Sequence, residues 1–291
     1  SDARVTRYLK TAFAARIDSV VVGKDRIRIE GTAPGLDRRE LRLAEVRAWE
    51  EIAELDTPAP LVPLTTAPSD RSDPTDPGRF AATVPRYDGA RDRIYSRWAV
   101  VAPGNRAWSQ QSAAHGASDV AGAALWDYDD PVPASKKGMG GIHNDPNLLP
   151  DLVELGVRHI TVNILMNSLL RLEPGDNTFE FASQGTAYHI NRGAVENLDR
   201  LLRFADRNGM RVSAILLVPR EVRGAREREV FVHPDAVSPG KYSMANVTSR
   251  EGFEAYCAFV EFLASRYCRP ERDNGRIANW IVHNEVDAGW V

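Results

Sequence analysis

The chain has 291 residues, 43% hydrophobic and 26% charged, with 21 Gly and 18 Pro, a composition that fits an ordinary folded protein and excludes fibrous and disordered classes. Its 37 basic and 40 acidic residues leave a net charge of -3, so no electrostatic excess points to nucleic acid or to an anionic membrane as partner. No apolar run approaches the roughly 18 to 20 residues that span a bilayer, and the start, Ser1-Asp2-Ala3-Arg4, lacks the apolar centre of a signal peptide. A soluble protein is expected; its compartment stays open, secretion or the cell surface being compatible with a chain that does not begin with Met.

The first part of the chain reads as β structure, because short alternating runs are separated by Gly, Pro and Asp clusters. Val20-Val21-Val22, Gly23-Lys24-Asp25 and Ile27-Arg28-Ile29 form a predicted hairpin. Leu41-Arg42-Leu43 alternates, as do Phe80, Ala82 and Val84, and Ile94 to Val101 carries Trp98 in strand-like company. The Pro-rich stretch from Thr57 to Gly78 is an expected connection without chemistry. The reading is an antiparallel, β-sandwich-like domain over residues 1–133.

After about Asp130 the pattern becomes strand, helix, strand, helix. Lys137 to Ile142 is a first short strand, and Asp145-Pro146 supplies an N-cap and a proline for a helix carrying Leu148, Leu149, Leu152, Val153 and Leu155. Gly156 ends it. His159 to Met166 is apolar enough for a buried strand and is followed by a long polar loop to Asn191. Val195, Leu198, Leu201, Leu202 and Ala205 then recur at helical spacing, with Gly209 as cap and Val212 to Val218 as the next buried strand. Arg223 to Glu229 reads as a solvated loop. Thr248 and Glu251 make a capping box for a helix whose face is Phe253, Tyr256, Cys257, Val260, Leu263 and Tyr267, and a last strand runs from Ile277 to His283. Cys257 and Cys268, 11 residues apart on that helix, are separated by roughly 16 Å of rise and do not bridge each other.

Three strands are entered alike, through Gly156-Val157-Arg158, Gly209-Met210-Arg211 and Gly275-Arg276-Ile277. This weak repeat of αβ units points to parallel strands with crossover helices, either a (β/α)8 barrel or a doubly wound sheet. In a parallel barrel the chemistry gathers at the carboxyl ends of the strands, and the fourth strand ends abruptly in His283-Asn284-Glu285, with Asp287 and Trp290 beyond it. An Asn-Glu pair after an apolar fourth strand resembles the retaining glycoside hydrolases whose two carboxylates follow strands four and seven. A glycosidic oxygen leaves poorly unless it is protonated, so a carboxylic acid held beside it does the work and later deprotonates water. Glu285 is the candidate for that role. Asn284 and His283 are candidates for bonds to sugar hydroxyls, Asp287 for a hydroxyl or loop contact, and Trp290 for stacking on a pyranose.

Asn163 and Asn167, in and after the second strand, are further candidate contacts, since buried strands seldom carry amides without partners. His189 is another; Asn191 reads first as a helix N-cap, and Arg220 and Glu221 bond sugar or each other. His143, His189, His233, His283 and Asp287 are the only metal candidates, and without a tight ligand motif no metal or other cofactor is expected. Gly138-Met139-Gly140-Gly141 lacks the spacing of a nucleotide-binding loop.

Ser135 to Ile142, Val162 to Leu170, Tyr188 to Asn191 and Trp280 to Trp290 together resemble a bacterial family catalogued as domain of unknown function 5722. The resemblance covers the chain after Asp130 and implies a glycosidase-like TIM barrel, often preceded by a β domain, with a carbohydrate as partner and an unassigned sugar. The 158 residues from 134 to 291 compare with about 250 for a complete barrel, so the expectation is the first half of one, about four βα units, with the nucleophile lying outside the chain. The competing expectation is a carbohydrate-binding or structural module that keeps the barrel surface without turnover.

Overall fold

Alternation of apolar and polar residues in the first third of the chain produces two antiparallel sheets. The computed structural model describes residues 3–37, 39–50, 61–66, 78–104, 108–124, 133–236 and 240–284 and divides the chain into two units, Ser1–Leu125 and Trp126–Val291. The first unit opens with a helix absent from the sequence reading, α1 (Ala3–Lys10). Its strands are β1 (Arg16–Val22), β2 (Arg26–Thr32), β3 (Arg42–Val46), β4 (Val62–Pro63), β5 (Thr65–Thr66), β6 (Arg79–Pro85), β7 (Tyr87–Asp88), β8 (Arg91–Asp92), β9 (Arg97–Pro103) and β10 (Trp108–Gln110). One sheet has the order β1-β2-β6-β5, the other β10-β9-β3-β4, and β7 and β8 form a short ribbon.

The predicted hairpin is present, with Val22 opposite Ile27 and the Gly23 N–H donating to the Arg26 carbonyl at 2.8 Å. Val20, Ile27, Ile29, Leu43, Phe80 and Trp98, drawn from both sheets, share one core. The predicted connection from Thr57 to Gly78 lies mostly outside the described residues, and the part described carries β4 and β5.

The second unit is built on a parallel ladder. β11 (Gly138–Met139), β12 (His159–Leu165), β16 (Arg211–Pro219) and β18 (Asn279–Ile281) lie side by side in chain order, with His159 opposite Arg211 and Leu165 opposite Leu217. β17 (Tyr242–Ser243) runs antiparallel against the end of β16. The helices between them are α2 (Leu149–Glu154), α3 (Met166–Leu169), α4 (Arg192–Arg207), α5 (Ala225–Phe231) and α6 (Arg250–Tyr267). Ile160, Val162 and Ile164 of β12 and Val212, Ala214 and Leu216 of β16 are buried in one core with Leu198 and Leu202 of α4 and Phe259 of α6.

Both long strands were expected to be buried throughout, as parallel strands covered on two faces are. Instead, Thr161, Asn163 and Leu165, and Arg211, Ser213 and Ile215, are only half-buried, so among the described residues one face of the sheet is sealed by helices and the other is not.

Several local expectations change. The stretch between β12 and Asn191 is not a loop: β13 (Leu170–Arg171), β14 (Thr178–Ser183) and β15 (Thr186–Asn191) form a small antiparallel sheet in the order β13-β15-β14. Its Phe179 and Phe181 pack on Phe262 of α6, with ring centroids 5.9 and 5.4 Å away. Arg223 to Glu229 includes most of α5, whose Val230 and Phe231 are buried.

Asp145 does not cap a helix directly. Its carboxylate accepts from the Asn147 N–H at 2.9 Å and its carbonyl from the Leu149 N–H at 3.1 Å, a turn that precedes α2, in which Pro150 rather than Pro146 occupies the first turn. The N-cap of α6 is Ser249, which accepts from the Gly252 N–H at 3.1 Å, while Thr248 bonds Asn246. Asn191 caps α4 as expected, accepting from the Ala194 N–H at 3.1 Å.

Candidate functional site at the carboxyl ends of the parallel strands

Because β11, β12, β16 and β18 are parallel, the segments that follow them emerge at one end of the sheet. There a cavity of about 840 Å³ is lined by Ile142, His143 and Asn144 after β11, by Asn163, Leu165, Asn167 and Ser168 on and after β12, and by Pro219 and Glu221 at the end of β16. Asn197 of α4 and Lys241 and Tyr242 by β17 complete its polar wall. Four of these side chains are asparagines, and two are tied together: Asn144 Nδ2 donates to Asn197 Oδ1 at 2.8 Å. The four amides and the Ser168 and Tyr242 hydroxyls can bind groups that both donate and accept, beside the charged Glu221 and Lys241.

Asn163 and Asn167 are therefore brought together at this cavity. Asn167 sits in the single turn of α3, and its Nδ2 donates to the Glu221 carbonyl at 3.2 Å. Its Oδ1 is buried and accepts no hydrogen bond among the described residues, an arrangement that usually costs free energy unless a ligand or water supplies the donor.

His189 goes elsewhere. It lies on β15 opposite Arg171 and Glu180, on the face of the small sheet away from buried Tyr188 and Ile190, and it does not line the cavity.

His283 and Asn284 come one residue after β18, are half-buried, and do not line the cavity. Burial pushes the His283 imidazole pKa down, which favours its neutral form. The Tyr256 hydroxyl donates to the Val282 carbonyl and ties this segment to α6; burial and the neighbouring Cys257 push the Tyr256 phenol up to about 12, so it remains a donor at ordinary pH. Glu285, Asp287 and Trp290 lie outside the described residues.

A carboxyl whose pKa is raised by burial is the usual mark of a general acid. Glu227 of α5 has that shift, opposed by the Arg171 guanidinium 3.6 Å away, but it does not line the cavity. Cys257 is buried among apolar neighbours of α6, and burial together with Glu261 and Glu254 raises its thiol to about 12, which leaves it unreactive. Among the described residues, no three His, Cys, Asp or Glu side chains are placed to hold a metal ion, and no helix is long and apolar enough to cross a membrane.

The wall residues Asn144, Ser168, Asn197, Lys241 and Tyr242 were not singled out in the sequence. Asn197 had no signal, since with Glu196 it occupies an exposed position between Val195 and Leu198 of an amphipathic helix. Lys241 and Tyr242 had none, because β17 pairs antiparallel and stands outside the repeated unit.

Fold and site together define a mixed α/β protein with a parallel sheet in chain order and, at its carboxyl end, a cavity of mixed polar and apolar lining. Residues 129–291 match the family of unknown function (DUF5722), and the chain belongs to that family. No curated protein matches the chain. Among solved structures, it is similar to the pullulanase SAP of Group B Streptococcus, at 10% sequence identity and a TM-score of 0.25 over 88% of this chain and 41% of that one. The chain thus spans about two fifths of that protein's length.

Proposed function

We propose that the protein is a glycoside-hydrolase-like enzyme, that residues 134–291 form the first half of a (β/α)8 barrel after a β-sandwich-like domain over 1–133, and that Glu285 is the general acid/base of a retaining mechanism. The observation that carries this reading is the strand order. Four parallel strands lie in sequence without reversal, as in a barrel and unlike a doubly wound sheet, whose order reverses at its switch point. The fourth leads from Ile281 to Glu285 in four residues, which keeps Glu285 within about 14 Å of the strand end.

In this reading Glu285 protonates the glycosidic oxygen as the bond to the sugar breaks, then takes a proton from the water that resolves the intermediate. Asn284 bonds a hydroxyl beside the reacting carbon, where contacts strengthen in the transition state. His283, Asn163 and Asn167 meet further hydroxyls, the Asn167 Oδ1 accepting one, while Asp287 bonds a hydroxyl or steadies its loop and Trp290 offers a stacking face. A retaining mechanism requires a second carboxylate about 5 to 5.5 Å from the first, and no residue of this chain is assigned to it.

The test uses leaving groups of different basicity in the intact protein, after a screen of polysaccharides has found a substrate. Glu285→Gln should lower turnover of the unactivated glycoside by about 10²-fold or more. It should affect cleavage of an aryl glycoside with an acidic phenol far less, and added azide should accelerate turnover by resolving the intermediate without a base. Equal losses on both substrates, or no loss, would overturn the assignment. A protein that binds a polysaccharide of the panel and turns none over would support the non-catalytic module.

A further inference from the structure

β18 leaves the ladder early. It shares only three register pairs with β16, and His283, Asn284 and Glu285 all come after its last residue, Ile281. The end of so short a strand frays readily, so the course of the segment beyond it is set by contacts outside the sheet.

α6 supplies a fixed post for such a contact. Its start is pressed against the chain before it, since a Cβ on Gly252 would lie 2.0 Å from the Asn246 carbonyl oxygen, and near its end Arg266 and Tyr267 donate to buried Asp199. Between these anchors Tyr256 packs on the core of the second unit, its ring centroid 6.1 Å from that of Phe259. Its hydroxyl reaches the Val282 carbonyl, in the peptide that joins Val282 to His283. Satisfaction of a backbone acceptor does not by itself account for this bond. Val282 is 48% exposed, and at such a place water serves a carbonyl nearly as well. What the phenol adds is a donor whose position is fixed by a helix.

We propose that Tyr256 is a positioning residue, whose hydroxyl holds the Val282 carbonyl and thereby fixes the course of the segment from His283 onward. With Glu285 read as the general acid/base, on which this role rests, the acid stands three residues after the tether. A misplacement of about 1 Å at a reacting group can cost about 10²-fold in turnover. Tyr256 acts through the backbone and has no part in the proton transfer itself.

Tyr256→Phe in the intact chain keeps the packed ring and removes the tether. The His283 imidazole, followed by NMR as pH is varied, reads the position of the segment without a substrate. Burial holds it below the ordinary 6.5 in the wild type, and in the variant, with the segment released toward water, it should titrate at higher pH, while the urea midpoint stays close to that of the wild type. Phe259→Leu, which trims a core ring of the same helix and keeps the hydroxyl, should do the reverse, lowering the midpoint and leaving His283 unchanged. On a glycoside that the protein cleaves, Tyr256→Phe should lower kcat about 10-fold or more with KM held within about 2-fold. An unchanged His283 titration or an unchanged kcat in Tyr256→Phe overturns the role, as does a midpoint lowered as far as in Phe259→Leu. Full turnover in Tyr256→Phe beside its loss in Glu285→Gln rejects the tether and keeps the acid/base. Full turnover in Glu285→Gln beside a displaced His283 in Tyr256→Phe rejects the acid/base and keeps the tether.

Discussion

Asp199 joins the two long helices of the second unit through a single carboxylate. It is 4% exposed, accepts from Arg266 Nε and Nη2 at 2.9 and 2.6 Å, and also accepts from the Tyr267 hydroxyl at 2.8 Å and Arg203 Nη2 at 3.3 Å. Burial and the adjacent carboxylate push the Tyr267 phenol up, so it stays a donor. Asp199→Ala leaves the buried Tyr267 phenol without its acceptor and Arg266, itself 30% exposed, with Asn274 alone, and is expected to destabilise the fold by about 1 to 3 kcal/mol, as an unsatisfied buried polar group does. Denaturant melts of the variant and wild type measure this; a change below about 1 kcal/mol would show that the helices are held by packing alone.

Glu45 plays a comparable part in the first unit, where Arg91, Arg93 and Ser96 all donate to it. Burial by itself would raise its pKa, but those hydrogen bonds prevail and hold it at about 2, against 4.5 for an ordinary glutamate. A carboxyl depressed in the folded state contributes stability above its unfolded pKa and loses it as pH falls through the folded one. Acidification from about 4.5 to about 2 should therefore weaken the wild type more than Glu45→Gln, whose stability lacks this titration. Parallel pH profiles of the urea midpoint would reveal it.

At the scale of elements, Gly275 shows why a strand entry in this fold is sequence-specific. Its φ is +77°, and a Cβ built there would lie 2.2 Å from the Leu202 backbone carbon of α4. An added methyl thus meets both a strained conformation and rigid backbone. Gly275→Ala should lower stability by at least about 2 kcal/mol, displacing β18 and the residues that follow it, whereas Gly156→Ala, with an open surrounding and φ of +68°, carries the conformational cost alone, about 1 kcal/mol. Equal losses in thermal unfolding would refute the packing argument. The strand lengths make a further prediction: β12 and β16 share seven register pairs, while β11 and β12 share two and β16 and β18 three. Amide exchange should be slowest at Ile160 to Ile164 and Val212 to Leu216 and markedly faster in β11 and β18.

Elements with strong periodicity were legible in the sequence. The hairpin around Gly23, the face of α4 and the strands β12 and β16 follow from alternation, helical spacing and glycine stops that the structure repeats. The small sheet β13-β15-β14 was not, because its apolar residues, Phe179, Phe181, Tyr188 and Ile190, are spread among polar ones and find a core only by packing against α6. The start of α6 was displaced by one residue because Thr248 and Ser249 are both capable caps, and Asn246 competes for the threonine hydroxyl. Within the candidate site, Asn163 and Asn167 were visible as amides in apolar company. Asn144, Asn197 and Tyr242 were not, since their partnership depends on segments more than fifty residues apart or on an antiparallel strand outside the repeat.

For the whole molecule, the second unit separates its chemistry along the strand direction, with amides at the carboxyl ends of the parallel strands and guanidinium groups at the amino ends. The ladder that organises both also sets an order of events during synthesis. Arg211, the partner of His159, lies 52 positions later in the chain, so at about 5 to 20 residues per second the ribosome takes about 3 to 10 s to deliver β16 after β12. The β13 to β15 sheet is local and closes within that interval, whereas Ile160, Val162 and Ile164 wait with only the two-pair ladder to β11. Nascent β12 thus holds an apolar face exposed while β16 is still being made, which gives a ribosome-associated chaperone reason to hold it.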